Sequence, residues 1–133
     1  MPWIPKDKEI EALLAADAKR RYEYFIHRVC DTRKVWGLYA EGWASLGAGD
    51  EKLIPFWPHQ AYAARFRIGD WSSYEPKEIQ LDVFLERWIS GMKKEGVGPA
   101  IFPVGAGSAV VVSLDDLEAN LRFQLAESYG EEG

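Results

Sequence analysis

The side chains that could do chemistry in this sequence are few. Its 133 residues hold two histidines, His27 and His59, and a single cysteine, Cys30. On a helix, His27 and Cys30 would be neighbours, a spacing that could support a thiol–imidazole dyad. The same helical register turns both away from the apolar stripe that carries Phe25 and Val29, and Glu23 lies one turn before His27 as a surface partner. A half-exposed helix face is therefore expected rather than a nucleophile. His59 lies in LIPFWPHQAYA, residues 53–63. No His-x-x-x-His or paired carboxylate spacing accompanies it, so no metal site is expected. Nearby hydroxyls are those of Tyr62, Ser72, Ser73 and Tyr74, and none stands in a nucleophile-elbow sequence. The positive potential of a helix's first turn would favour a neutral imidazole, which suits an electrophile or a ring at a strand–helix corner. Asp70, Glu75, Glu78 and Asp82 are the carboxylates in reach of this region, but catalytic acids need a fixed separation across a cleft. Gly105-Ala106-Gly107-Ser108 lacks the Lys-Ser/Thr ending of a phosphate loop and reads as a hairpin turn. No catalytic residue, cofactor or metal is assigned.

What remains is aromatic. Six tryptophans occur where about two would be usual. Core packing accounts for most of them individually, but Trp and Tyr are also the usual anchors of contact surfaces. Trp36, Trp43, Trp57, His59, Trp71 and Tyr74 form the candidate binding set, a contact surface for a protein partner.

These residues must be held by a fold. The chain is 47% hydrophobic and 28% charged, the balance of one globular domain over residues 1–133. A net charge of −5 argues against general nucleic-acid or anionic-membrane binding. One cysteine rules out a disulfide framework, and neither a leader-like start nor a membrane-length apolar run is present, so a cytoplasmic protein is expected. Ile10, Leu14, Ala18, Tyr22, Phe25 and Val29 recur at helical spacing and predict a helix over 8–30 with a break near Asp17. VWGLYA, EG and WASL read as a first hairpin turning at Glu41-Gly42. Residues 52–57 make a third strand, with Pro55 marking an edge, and Pro58 opens a helix over 59–68. A short strand over 78–81 precedes a helix with Asp82 as its cap and Phe84, Leu85, Trp88, Ile89 and Met92 as its stripe. VGPAIFPV and AVVVS make a second hairpin, and Ser113 to Asp116 caps a last helix. Residues 130–133 are expected to fray. The expected fold class is α+β: a mainly antiparallel sheet of about five strands, built from two hairpins, with helices packed on it.

VWGLYAEGWASL, LIPFWPHQAYAARF and GDWSSYEPKEIQLDVFLERW, followed by GVGPAIFPV and VVVSLDDLEANL, resemble the bacterial family called domain of unknown function 2750. The resemblance runs from about Arg20 to about Tyr129 and leaves residues 1–19 outside it. It implies a small bacterial protein, and it brings neither an activity nor residue roles. Three functions stay open: a non-enzymatic protein-binding module, toxin immunity being one version; an enzyme or small-ligand protein using His59 in a pocket with Asp70 or Glu75; and a structural homo-oligomer with its Trp-rich face buried between copies.

Overall fold

The computed structural model describes residues 4–40, 42–48, 51–67, 72–104 and 108–129. The chain is α+β, but its strands do not form the expected single, mainly antiparallel sheet of about five strands. Among the described residues six strands form two sheets, one ordered β1-β4 and the other β2-β3-β5-β6.

The break near Asp17 is real. Helix α1 covers Asp7–Leu14 and α2 covers Ala18–Thr32, and the Asp17 carboxylate caps α2 by accepting from the Arg20 N–H at 2.9 Å. Arg33 ends α2 in the left-handed region (φ 64) and turns the chain straight into β1, Lys34–Tyr39. The first hairpin is not formed as expected. Beyond Tyr39 the return segment touches β1 through the isolated Tyr39–Trp43 bridge and a bond from the Ala44 N–H to Leu38 O at 2.8 Å. The register partner of β1 is instead β4, Glu75–Gln80, running antiparallel from Lys34↔Gln80 to Tyr39↔Glu75. The short β2, Leu46–Ala48, pairs with β3, Glu51–Phe56. Glu41 of the expected turn lies outside the described residues.

The second correction is the parallel pair. Strand β5, Val97–Val104, lies beside β3 in parallel, Lys52↔Val97 through Phe56↔Ile101, and pairs antiparallel with β6, Ser108–Val111. Pro55 is therefore inside a sheet. Strand alternation puts its nitrogen on the same side of β3 as those of Leu53 and Trp57. Leu53 pairs with β2 and Trp57 bridges Trp36 of β1, so the missing N–H falls between the two partners. The Trp36–Trp57 bridge is reciprocal, with N–H···O distances of 2.9 and 2.8 Å, and it joins the two sheets.

Helix α3 is short, Gln60–Ala64. A longer helical run follows β4 as α4 (Leu81–Val83), a π turn (Phe84–Trp88) and α5 (Ile89–Glu95). Gly96 ends it with φ 73 and reverses the chain into β5. Helix α6, Leu114–Tyr129, packs against α2 and α5, and the Ser113 hydroxyl accepts from the Asp116 N–H at 3.0 Å to cap it.

The core runs through Phe25, Val29, Val35, Phe56, Trp57 and Leu117, all fully buried. Among the described residues it contains one buried charge, Arg21, at 3% exposure. Its guanidinium donates to Phe102 O at 3.1 Å and Ala16 O at 2.7 Å. Phe102 is a bulky residue at φ 51, within the register shift that separates Ile101↔Val110 from Val104↔Ser108. The bulge turns its carbonyl towards Arg21. Replacing Arg21 with Met keeps the stem volume but strands the buried Phe102 carbonyl and deprives the part-buried Ala16 carbonyl of its donor. Arg21→Met should lower unfolding free energy by about 2–4 kcal/mol, measured by urea titration; a loss well below that range would show that the carbonyls find other partners.

Candidate functional site

His59 is a cap. Its backbone is extended (φ −158, ψ 152), and its Nδ1 accepts the Ala61 N–H at 3.0 Å. The helix begins at Gln60, so Pro58 precedes the cap instead of occupying the first turn. An imidazole whose Nδ1 accepts carries its hydrogen on Nε2 when neutral, and an imidazolium cannot accept at all. Trp36 lies beside it, ring centroids 6.2 Å apart. Glu75, the carboxylate expected to assist His59, pairs with Arg67 at 3.2 Å, and Asp70 and Trp71 lie outside the described residues.

The other members of the candidate set divide between two faces of β1. Alternation places Trp36 and Leu38 on one face and Val35, Gly37 and Tyr39 on the other. Trp43 belongs to the second: a Cβ built on Gly37 would approach its ring carbons to 3.1 Å, and its ring meets Tyr39 edge-on at 5.0 Å. Trp57 is fully buried and donates its indole N–H to Pro103 O at 3.1 Å. Tyr74 is half-buried against the core. Trp36 with His59 and Trp43 with Tyr39 are thus separate groupings.

Cys30 and His27 do not meet as a dyad. The thiol is fully buried, 3.4 Å from Leu121 O, and burial pushes it up to about 11, where it is a poor nucleophile. His27 is exposed, its Nδ1 3.5 Å from the Gln124 amide. Gly105–Gly107 lie outside the described residues. Among the described residues no three His, Cys, Asp or Glu side chains gather as metal ligands, and no helix is long and apolar enough to cross a membrane.

One titratable cluster is new. Tyr24 donates to Glu9 Oε2 at 2.5 Å, and Glu9 pairs with Arg28 at 3.5 Å. Tyr24 and Tyr62 oxygens are 2.8 Å apart; with the Tyr24 hydrogen committed to a carboxylate, Tyr62 is the donor. Desolvation raises both phenols, Tyr62 to about 12 and Tyr24 further, where the bond to Glu9 adds to the effect. Both stay protonated near neutrality, so the two phenols tie α1 to α2 and α3 and are not themselves bases.

A further feature among the described residues is a groove of about 450 Å³ between β3 and the helical run 81–95. Lys52, Ile54 and Phe56 share the face of β3 beneath the helix. At one end Phe56 is buried against Phe84 and Trp88, with centroids 5.1 and 5.8 Å away. Ile54 is half-buried and Lys52 exposed, so the gap opens towards the end of α5. Trp88, Met92 and Val97 complete the apolar lining, and Lys52, Arg87 and Lys94 stand around it with one acid, Glu95. The π turn holds Arg87 and Trp88, its Ile89 N–H bonding back to Phe84 O; wide turns of this kind recur at functional positions. Trp43 packs edge-on against Trp88 at 4.9 Å, so a member of the expected aromatic set supports the groove from behind. Sequence reasoning took Trp88 for core stripe and passed over Gly91. The overlooked signal was a basic face broken by glycine, Arg87-Gly91-Lys94, at helical spacing.

A family model described as "Protein of unknown function (DUF2750)" matches residues 22–121, and the chain belongs to that family. The matched span includes every residue lining the groove. No curated protein matches the chain. Family membership brings no activity with it.

The polar contacts carry two expectations. His59→Ala should destabilise the protein by about 1 kcal/mol, whereas His59→Asn, which still offers an acceptor, should lose only a few tenths; equal losses in denaturant titration would remove the capping role. The raised phenols keep their protons in the fold after an unfolded chain, with tyrosine near 10, has begun to release them. Stability is therefore full below about pH 10 and falls towards about 12. The urea midpoint should decline across that window, and less so in Tyr24→Phe/Tyr62→Phe; a flat midpoint in the parent protein would contradict the assignment.

Proposed function

We propose that this protein is a non-enzymatic binding module that receives a segment of a partner protein in the groove between β3 and the helical run 81–95. The observation that carries this reading is Gly91. Glycine inside a helix costs roughly 0.5–1 kcal/mol relative to alanine. Nothing lies within 4 Å of where its Cβ would stand. Packing therefore gives no reason for glycine here. The position lines the groove beside half-buried Trp88, and a missing side chain lets another backbone come close. A Trp face with open space in front of it is the usual form of an anchor site. The groove is open along its length, which suits an extended segment better than a small molecule needing enclosure on most sides. Supporting the non-enzymatic side, His59 Nδ1 is engaged in a cap and the Cys30 thiol is buried.

A Cβ at position 91 meets nothing within 4 Å, and Gly91→Leu places a side chain in the open groove. It should raise stability by roughly 0.5–1 kcal/mol through helix propensity while removing binding. Ten-residue random peptides displayed on phage and panned on the parent protein should yield binders that lose at least tenfold in affinity for Gly91→Leu. Absence of any enriched binder, or binders indifferent to this substitution, would overturn the reading.

A further inference from the structure

We infer that the segment received by the groove is acidic, with carboxylates flanking an apolar residue; the inference rests on the proposed binding function. The chain carries a net charge of −5, yet the groove gathers Lys52, Arg87 and Lys94 against a single acid, Glu95. The neighbouring cation Lys93 is satisfied, 2.5 Å from Asp115. Lys34, Arg67 and Arg122 likewise have carboxylates within 4 Å. Among the described residues Lys52, Arg87 and Lys94 have no such partner, as is also true of Lys6, Lys8, Lys19, Arg20, Arg65 and Lys77; what sets the three apart is that they line one groove. Three exposed, unneutralised cations around one Trp-lined groove, on a protein otherwise rich in acids, make a local field opposite in sign to the net charge.

The geometry also sets a spacing. Arg87 and Lys94 lie about two turns apart on the helix, an axial rise of about 10 Å at 1.5 Å per residue. An extended segment rises about 3.3 Å per residue. Side chains of an extended segment alternate, so two acids four residues apart with an apolar residue midway share one face, about 13 Å end to end; the long Arg87 and Lys94 side chains take up the difference, and the apolar residue faces Trp88 and Ile54 across the gap left by Gly91. Lys52, on the strand side, addresses a carboxylate on the segment's opposite edge.

A fluorescein-labelled ten-residue peptide carrying two Glu four positions apart with a Leu midway between them provides the probe, with its Gln counterpart as control. By anisotropy, the Glu peptide should bind the parent protein roughly three- to tenfold more tightly than the Gln peptide at low salt, and this preference should shrink at 0.5 M salt, where screening is within about 4 Å. Lys52→Gln/Arg87→Gln/Lys94→Gln, all at exposed positions, should fold as the parent does by circular dichroism and bind the two peptides equally. Equal binding by the parent, or a preference surviving in the triple variant, would overturn the inference. Panned peptides that need an open Gly91 position yet carry no excess of acids would overturn it while leaving the binding function standing. Failure to obtain any groove-dependent peptide would remove both. If light scattering shows a parent dimer that the triple variant loses, a second copy occupies the groove and the acidic-segment assignment falls.

Discussion

Two hydrogen bonds hold the architecture together: the reciprocal pair between the backbones of Trp36 and Trp57. Without it, the two-stranded sheet of β1 and β4 would have no backbone ladder to the four-stranded sheet. The junction also positions its neighbours along both strands. Trp57 is buried and anchored to Pro103 O, which places His59 two residues on, where its ring can cap α3. On the other strand, Gly37 follows Trp36, and its missing side chain lets the Trp43 ring lie against β1. One backbone contact thus aligns the sheets, orients a helix start and admits an aromatic side chain.

That aromatic belongs to a ladder crossing the protein. Lys77 sits over the Tyr39 ring at 4.3 Å, Tyr39 meets Trp43, Trp43 meets Trp88, and Trp88 meets Phe56. Edge-to-face contacts of this kind have defined geometry. They hold the Trp88 ring from behind, so it reaches the groove without depending on whatever fills the groove. The π turn widens the helix at the same level. Rigidity at Trp88 and vacancy at Gly91 are adjacent, one built from packed rings and the other from a missing side chain.

Much of the local structure was legible in the sequence because it is decided by local chemistry. Asp17 interrupts a helix because its carboxylate can accept an N–H three residues on, and Ser113 caps by the same rule. The Phe84–Met92 stripe followed helical spacing and is mostly buried. Pairing was not legible. VWGLYA and WASL alternate as a hairpin would, but nothing local shows that β4, far along the chain, fits β1 better. Pro55 signals a sheet edge by its missing N–H; the signal is sound but incomplete, since a gap between two partners serves as well as an edge. The expected aromatic set grouped residues by type and nearness in sequence, whereas strand alternation sends Trp36 and Trp43 to opposite faces. The groove escaped notice because its rim comes from β3 and α5, which only the parallel pairing with β5 brings together.

That parallel pairing bears on how the protein is made. Lys52 meets Val97, and β4 with the whole helical run 81–95 lies between them in the chain. During synthesis β3 emerges well before β5, and contacts this distant in sequence form late. Until β5 arrives, β3 offers an apolar strand with one edge unpaired, a form prone to pairing with other chains. Pro55 cannot shield that edge, because its nitrogen points the other way. The helical run 81–95 is made before β5, but it is the pairing with β5 that brings it over β3, so the floor and the wall of the groove come together in one late step.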